Sequence, residues 1–330
     1  MTEADQRILL DFERRRPRGL ARAISRAESG AGAELMHALF ERTGRAMTIG
    51  LTGPPGVGKS TLCSELVAVA RREGKTVGVI SVDPSSPFSH GAILGDRIRL
   101  TEHFTDPDVF IRSMASRGHL GGLAGATGDA VALMDAFGKD VVVVETVGVG
   151  QSEIEIAELA DTTLVALQPG SGDSVQLLKA GILEVADIFV VNKADHPMAL
   201  QLQREIRSMM EMLDFSGWVP ELVATRAREG VGIVELWTAI GRHAEYLRAS
   251  GQLETKRKGA FAHRVRALVL GDLERRVDAR IAEKLTALDG AGADPYEAAR
   301  EILAGVETVF PASDVRAATR PSTRASVKGL

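Results

Sequence analysis

The sequence predicts an α/β fold built on a doubly wound, mostly parallel sheet. Short apolar runs alternate with helical patterns between residues 46 and 250, as they do in chains of βαβ units. One of these runs, Val141–Val144, consists only of valine, which is typical of a strand buried on both faces. Ligands of such sheets bind beyond the carboxyl ends of the strands. We therefore expect the functional residues directly after the strands.

The chain divides by pattern into four segments. The α/β domain covers residues 46–250 and follows an N-terminal helical extension at 1–45. A C-terminal helical arm covers residues 251–310, and the tail at 311–330, rich in Ala, Ser, Thr and Arg, is predicted to be disordered. The apolar runs that predict strands are 47–52, 77–82, 108–113, 141–145, 162–168, 187–192 and 219–224. The helical patterns between them are 60–73, 122–137, 153–160, 174–184, 197–213 and 231–249.

Composition argues against several classes of protein. The 330 residues carry a formal net charge of −4, which gives no general attraction to nucleic acid or to an anionic membrane. No stretch approaches the roughly 18 to 20 apolar residues of a membrane span, and the N-terminus lacks the pattern of a secretory signal. The single cysteine, Cys63, is expected to be a buried core residue and fits a cytoplasmic location. None of the scattered histidines pairs with it at a metal-ligand spacing.

A phosphate-binding loop is predicted between the first strand and the helix that follows it. The stretch from Gly53 to Ser60 reads Gly-Pro-Pro-Gly-Val-Gly-Lys-Ser. Its glycines let backbone N–H groups converge on an anion, and the helix N-terminus adds further donors. Lys59 is expected to reach the β- and γ-phosphates, and the Ser60 hydroxyl to bind Mg²⁺. The alternative is a glycine-rich turn that binds nothing. The predicted nucleotide contacts of this stretch are Gly53, Pro55, Gly56, Val57, Gly58, Lys59, Ser60 and Thr61.

Acidic residues follow two of the strands and lie in one of the loops. Asp83 ends the second strand, where it either binds Mg²⁺ or forms an Asx-Pro turn. Asp96 lies in a glycine-flanked loop that could order around the γ-phosphate and the metal. Glu145 ends a later strand, and Gly148 is placed for its N–H to meet the γ-phosphate. The predicted metal ligands are Ser60, Asp83, Asp96 and Glu145, and the predicted catalytic residues are Lys59, Asp96 and Glu145.

Glu145 departs from the aspartate that small G proteins usually carry at this position. The extra methylene group favours either contact with the metal through a water molecule or a shifted metal shell. The glutamine at position 151 comes three residues after Gly148 rather than directly after it. We therefore expect slow intrinsic hydrolysis.

The base is predicted to be guanine, on the stretch Asn192-Lys193-Ala194-Asp195 directly after a buried strand. The Asp195 carboxylate can accept from guanine N1–H and from the exocyclic amine, whereas adenine would leave it unpaired, at a cost of about 1–3 kcal/mol. The Lys193 stem would cover the base. In the last βα loop, Arg226 stands where G proteins usually carry serine, and the Ala227 N–H is expected to meet guanine O6.

Four further segments leave alternatives open. The arginine run at 14–18 is either a binding patch or, preferably, a solvated helix end that Pro17 restarts. Residues 112–122 read as too glycine-rich for a strand, and their two arginines either contact a phosphate or partner or are solvated. The glycine-hinged stretch after residue 168 carries Asp173, Gln176 and Lys179, which form either a mobile functional loop or a helix N-cap. The helical arm either dimerises and docks partners or packs back on its own domain.

Several stretches together resemble the MeaB/MMAA-type GTPases, also described as ArgK-type, which are G-protein chaperones of adenosylcobalamin-dependent acyl-CoA mutases. The resemblance runs from about residue 20 to 250, and its most specific piece is Glu-Thr-Val-Gly-Val-Gly-Gln-Ser from Glu145. The other matching pieces are 53–60, 82–86, 93–96, 120–122, 169–173, 179–184 and 192–195.

The resemblance implies GTP hydrolysis, with Mg²⁺, that gates cofactor transfer to a mutase and protects it. It places a first switch at roughly 83–99 and a second at 145–153. Asp173, Gln176 and Lys179 fall in a third switch that would carry the nucleotide state to the mutase. The partners implied are an adenosylcobalamin-dependent acyl-CoA mutase, a second copy of the chain held partly by the arm, and indirectly an adenosyltransferase. The client could be a mutase of methylmalonyl-CoA, isobutyryl-CoA, 2-hydroxyisobutyryl-CoA or ethylmalonyl-CoA.

Three other functions compete with this one. A nickel-insertion GTPase would need a Cys/His cluster, which one cysteine and scattered histidines do not supply. A P-loop kinase of small molecules would not need the Asn-Lys-x-Asp signal that ends at Asp195. A nucleotide-binding scaffold that no longer hydrolyses is kept open by the departures at Glu145 and Arg226.

Overall fold

A computed structural model describes residues 1–84, 97–116, 124–146, 152–171, 184–213, 215, 217–287 and 294–307. Seven strands form one sheet in the order β3-β2-β4-β1-β5-β6-β7, and every neighbouring pair is parallel. The predicted doubly wound α/β fold is therefore confirmed. The strands are β1 Met47–Thr52, β2 Val77–Pro84, β3 Val109–Ser116, β4 Val141–Thr146, β5 Thr162–Leu167, β6 Ile188–Val191 and β7 Glu221–Ala224.

Ten helices flank the sheet or extend from it in the described part of the chain. They are α1 Glu3–Glu13, α2 Pro17–Glu28, α3 Ala33–Leu39, α4 Lys59–Arg72, α5 Ala124–Phe137, α6 Ser152–Leu159, α7 Ala199–Glu211, α8 Ile233–Ala249, α9 Gln252–Ala287 and α10 Pro295–Glu307. Short 3-10 helices lie at Phe40–Arg42, Arg97–His103 and Ala227–Glu229. The helix predicted at 174–184 lies almost wholly outside the described residues.

The order of strands fixes where a ligand can bind. β1 lies between β4 and β5, and the sheet is extended on one side by β2 and on the other by β6. The winding direction reverses at this central strand, and the crevice at such a switch point is where open α/β sheets bind ligands. Residues that follow β1, β4, β5 and β6 therefore face one common edge.

The sheet is buried on both faces. On one face the side chains of Ile49 and Leu51 from β1 form an apolar cluster with residues of α4 and α8. The buried residues of this cluster are at most 5% exposed, and a few partly buried apolar residues pack around them. Gly50, between Ile49 and Leu51, faces α6, where a Cβ atom would lie 2.8 Å from Ile156 Cγ1. The glycine therefore allows close packing of α6 on the central strand. Cys63 belongs to the same cluster as Ile49 and Leu51 and is buried as predicted. Burial raises the pKa of its thiol well above the usual value.

The N-terminal helices cover the other face together with α5. Their apolar residues Phe12, Leu20, Ile24, Leu35 and Leu39 are each at most 1% exposed. Burial of each such side chain is worth about 1.5–3 kcal/mol. Residues 1–39 are therefore an integral layer of the domain rather than a loose extension.

The arginine run begins a new helix at Pro17, as predicted, but its side chains have specific partners. Arg16 and Arg18 lie 2.9 Å and 3.2 Å from the carboxylate of Asp11, and hydrogen bonding to Arg16 lowers the pKa of that carboxyl. Arg15 donates to the carbonyl of Phe137 at the end of α5. The four arginines of the run are exposed, as the solvated alternative predicts, and they also join α1, α2 and α5.

The prediction that residues 112–122 avoid strand structure is wrong for its first part. β3 continues to Ser116, with Arg112 paired to Ile80 of β2. The Arg112 side chain contacts Glu28 on α2 and donates to Ser25 Oγ at 3.0 Å. Its charge is thereby neutralised inside the fold, which lets an arginine occupy a strand. Arg117 and the glycines that suggested a loop lie outside the described residues.

The chain forms two compact units, Met1–Leu268 and Val269–Leu330. The beginning of α9 belongs to the first and packs back on it. Arg257 lies 3.0 Å from Asp161 and donates to the carbonyls of Gly44 and Ala46, and Arg264 lies 2.5 Å from Asp129 on α5. The first turns of the arm therefore pack back on their own domain, which is one of the two alternatives that the sequence left open. No helix in the described ranges has the length and apolar character to cross a membrane.

Candidate functional site

The loop between β1 and α4 has the backbone shape of an anion cradle. Gly53 and Gly58 adopt φ angles of +141° and +96°, in the region that favours glycine. A Cβ atom would lie 2.1 Å from the Ala166 carbonyl oxygen at the first position and 2.6 Å from Asn192 Nδ2 at the second. Both positions therefore require glycine for conformation and for space. Pro55, Gly56 and Val57 complete the loop, which fits a bound phosphate chain.

Lys59 and Ser60 open helix α4 and point into this loop. The Lys59 ammonium donates to the carbonyls of Gly53 at 2.7 Å and Pro54 at 2.9 Å, and the residue is 7% exposed. The Ser60 hydroxyl donates to Glu145 Oε1 at 2.7 Å. Thr61, the next residue, is partly buried. The helix N-terminus, a buried ammonium group and a hydroxyl thus lie together at the carboxyl edge of β1.

Glu145 reaches the same point from the neighbouring strand. It lies opposite Leu51 in the β1–β4 register and is 5% exposed. The next pair of residues is locked by a hydrogen bond of 3.0 Å from the Thr146 hydroxyl to the Thr52 hydroxyl. A carboxylate and a hydroxyl at hydrogen-bond distance form a hard oxygen donor set, which suits Mg²⁺. The residues present therefore fit the predicted metal.

Other predicted residues on the phosphate side are described only in part or not at all. Asp83 lies at the end of β2, paired with Ala115 of β3, and so belongs to the same edge of the sheet. Its side chain lies outside the description. The remaining predicted residues that lie outside the described part of the chain are Asp96, Gly148, Asp173, Gln176 and Lys179.

Asn192 ties the phosphate loop to two other loops. It is 3% exposed, and its Nδ2 donates to the Val57 carbonyl at 2.8 Å. Its Oδ1 accepts from the Thr225 hydroxyl and from the Ala227 N–H, both at 3.1 Å. One N–H of the amide and both acceptor directions of its oxygen are thus directed at backbone or hydroxyl partners. Contact of the Ala227 N–H with guanine O6 stays a prediction.

Lys193 crosses from the same loop to the phosphate loop. Its φ of +55° is unusual for a residue with a side chain, and such strain persists where the surroundings enforce it, often at functional sites. The ammonium donates to the Gly56 carbonyl at 2.8 Å and to Gln168 Oε1 at 2.6 Å. Asp195, two residues later, is exposed. A carboxylate open to solvent beside a lysine stem matches the predicted base site.

The loop that carries Arg226 is compact. The Arg226 N–H donates to the Val231 carbonyl at 2.9 Å, and its guanidinium lies 2.7 Å from Glu229. Gly232 closes the turn with a φ of +80°, and a Cβ atom there would lie 2.2 Å from the Ala224 carbonyl oxygen. Arginine in place of serine is therefore compatible with an ordered loop.

Sequence reasoning missed Gln168 and the role of Thr225. Both follow a strand of the common edge, and this position is the signal that pointed to the other site residues.

No group of three or more His, Cys, Asp or Glu is placed to hold a metal ion in the ranges that the structure describes.

The sequence also matches a known protein family. Residues 20–282 match the family described as Methylmalonyl Co-A mutase-associated GTPase MeaB. The chain belongs to the MeaB family. The resemblance found in the sequence is thereby confirmed, and this MeaB-family chain is a P-loop GTPase.

Individual relatives agree with the MeaB assignment. A putative GTPase of Pyrococcus abyssi is 46% identical over 297 residues, which cover 87% of this chain and 92% of that protein. GTPase ArgK of Escherichia coli is 38% identical over 250 residues, 72% of this chain and 76% of that protein. The crystal structure of LAO/AO transport system kinase has a TM-score of 0.67 at 27% identity and covers 93% of this chain and 99% of its own.

Proposed function

We propose that this GTPase is a chaperone that gates adenosylcobalamin delivery to a B12-dependent acyl-CoA mutase and protects that mutase. Methylmalonyl-CoA mutase or a relative of it is the client we favour, since the family description names that enzyme. The observation that carries the nucleotide part is the pair of bonds from the base loop to the phosphate loop, Asn192 Nδ2 to the Val57 carbonyl and Lys193 Nζ to the Gly56 carbonyl. They hold a guanine-reading loop at a fixed distance from a phosphate cradle.

In the proposed site each residue has one task. The exposed Asp195 carboxylate accepts from the two N–H groups on the guanine edge, and the Lys193 stem covers one face of the ring. The backbone N–H groups of 53–61 and the Lys59 ammonium bind the phosphates. These groups are pre-positioned before the reaction, which is how phosphoryl transfer is mostly catalysed.

The proposed metal site lies at the Ser60–Glu145 hydrogen bond. Ser60, Glu145, Asp83 and Asp96 would hold Mg²⁺, some of them through water. When bound, the ion neutralises charge on the β- and γ-phosphate oxygens. Because Glu145 is longer than the aspartate of small G proteins, we propose that it acts through water and that hydrolysis is slow without a partner.

Signalling to the client is assigned to the segment that contains Asp173, Gln176 and Lys179. Its position directly after β5 places its start at the edge of the sheet where the phosphate loop lies. The proposed assembly is a cytoplasmic homodimer held partly by the 251–310 arm, with the mutase as direct partner and an adenosyltransferase as an indirect one.

The test measures GTP and ATP turnover by the purified chain, alone and with adenosylcobalamin-dependent acyl-CoA mutases added one at a time. We expect slow turnover of GTP, none of ATP, and a rise in GTP turnover with one mutase. The Lys59→Ala variant, with each mutase, gives the background. Bound GTP whose turnover responds to none of the mutases would overturn the chaperone role while leaving the GTPase assignment intact.

A further inference from the structure

Gln168 is the residue that fixes the far side of the Lys193 ammonium group. It directly follows β5, and Lys193 lies two residues after the end of β6. In the β5–β6 register Leu167 lies opposite Val191, and the Asn192 N–H donates to the Leu167 carbonyl at 2.9 Å. The sheet itself therefore brings the backbones of the two residues together.

The hydrogen bond between Lys193 and Gln168 is short, and its donor and acceptor are unambiguous. Lys193 Nζ lies 2.6 Å from Gln168 Oε1. An ammonium group has only donors, so the amide oxygen is the atom of Gln168 that can face it. Hydrogen bonds in which the donor carries the charge are stronger than neutral ones. The same ammonium also donates to the Gly56 carbonyl, so it is held between the end of β5 and the phosphate loop.

The segment around Gln168 also passes close to the base loop two residues further on, at Gly170. Gly170 has a φ of +76°, and a Cβ atom on it would lie 3.4 Å from His196 Cε1. His196 is held in place by its ring Nδ1, which accepts from the Met198 N–H at 3.2 Å. Within the described residues the start of the loop after β5 thus runs beside the loop after β6, and Gln168 bonds to a residue of the proposed base site.

We propose that Gln168 is a positioning residue for guanine binding. Its amide oxygen holds the Lys193 ammonium against Gly56 and so presets the methylene stem on which the guanine ring lies. This inference rests on the proposed guanine site. Without the Gln168 bond the stem would sample several rotamers, and binding the base would carry the cost of ordering a long side chain.

If Gln168 acts by holding the Lys193 stem, its loss should weaken the binding of ligands that carry a base and leave other ligands unaffected. The stem covers the face of the ring and does not read its edge, so guanine and hypoxanthine nucleotides should lose the same factor. A ligand without a base, such as inorganic tripolyphosphate, contacts only the phosphate loop and should lose nothing. A general weakening of the fold would lower the affinity for all three ligands together.

The experiment measures dissociation constants of GDP, ADP, IDP and tripolyphosphate for the full chain by competition with a fluorescent guanine nucleotide. Gln168→Met keeps the length of the side chain and removes the amide, and we expect about three- to tenfold weaker binding of GDP and IDP. Gln168→Glu keeps an acceptor and should bind at least as tightly as the wild type. Gln201→Met is the matched control, since the Gln201 side chain is exposed and donates to Glu205 on the same helix, α7.

A double-substitution cycle with Lys193 completes the test. Lys193→Met should weaken GDP binding more than Gln168→Met does, and Gln168→Met should have no further effect in that background. In turnover assays, Gln168→Met should raise the KM for GTP and leave kcat unchanged, because the residues around the phosphates of the bound nucleotide are the same in the variant.

Two results would overturn the inference. One is unchanged GDP affinity in Gln168→Met, and the other is an equal loss for tripolyphosphate. In either case a wild type that prefers GDP to ADP keeps the proposed guanine site. A wild type without that preference would overturn the guanine site first and this inference with it.

Discussion

The Ser60 hydroxyl donates to the Glu145 carboxylate across 2.7 Å, which joins the first turn of α4 to the end of β4. Two elements that come from different βαβ units thus meet at one pair of oxygen atoms. We interpret this pair as the place where the metal is held.

Glu145→Gln is expected to lower GTP turnover about ten- to hundredfold, because the variant keeps the hydrogen bond from Ser60 but loses the charge that attracts the metal. The apparent affinity for Mg²⁺ should fall as well, and GDP binding without Mg²⁺ should stay close to that of the wild type. A magnesium titration of turnover measures both effects. Glu73→Gln, at the exposed position after α4, is the control, and equal Mg²⁺ dependence in the two variants would remove Glu145 from the metal site.

Lys59→Ala is expected to abolish hydrolysis while the fold is kept. The ammonium group is the predicted charge partner of the β- and γ-phosphates, and loss of such a charge costs on the order of a hundredfold or more in rate. Single-turnover assays measure the rate, and circular dichroism checks the fold. Retained turnover in a folded variant would mean that the phosphate loop is misassigned.

Asp195→Asn is expected to shift preference from GTP toward xanthosine triphosphate. Xanthine carries an oxygen where guanine carries its exocyclic amine, so an amide donor at position 195 complements it, whereas the wild-type carboxylate repels it. Competition binding with both nucleotides gives the ratio of affinities. GTP affinity equal to that of the wild type would place Asp195 outside the base site.

Lys139 is expected to make the stability of the protein rise with pH in the alkaline range. Burial lowers the pKa of its ammonium group to about 8, against about 10.4 in an unfolded chain. Between these values the unfolded chain keeps this proton and the folded protein has lost it, so the free energy of unfolding rises with pH, by on the order of 1–3 kcal/mol.

The measurement for Lys139 is urea unfolding at several pH values. Lys139→Met should lack this rise, while Lys75→Met, at an exposed position, should show it as the wild type does. Parallel pH profiles for all three proteins would contradict the assignment of the shift to Lys139.

Arg264→Met is expected to destabilise the protein by about 3 kcal/mol, because it leaves the buried Asp129 carboxylate without its charge partner. Burial already raises the pKa of Asp129, and Arg264 opposes that shift. The variant should therefore lose less stability in acid, where the carboxyl takes up a proton. Unfolding curves of Arg264→Met, of the exposed control Arg266→Met and of the pair Asp129→Asn with Arg264→Met measure this, and the pair should recover much of the loss.

The sheet is largely predictable from the sequence, since each strand is an apolar run that polar residues bound. The end of β3 is the exception. Arg112 interrupts the apolar pattern, and its partner Glu28 is 84 residues away in the chain. A charge that is neutralised over such a distance looks like a solvated loop residue until the tertiary structure is known.

The candidate site is predictable in its residue types and less so in its connections. Lys59, Ser60 and Asn192 follow strands or open a helix, and local spacing is enough to single them out. The contact between Gln168 and Lys193 depends on the register of β5 against β6, which no local pattern specifies. The same is true of Thr225, whose hydroxyl meets Asn192 only because β7 pairs with β6.

The ion pairs at the beginning of α9 fix the distance between the root of the arm and the proposed nucleotide site. Arg257 is anchored at Asp161, just before β5 begins, whereas Gln168 lies just after β5 ends. A strand of six residues spans roughly 17–20 Å. The root of the arm and the phosphate loop therefore lie at opposite rims of the sheet. A partner that docks near Arg257 would sense the nucleotide through movement of whole strands and of the helices packed on them.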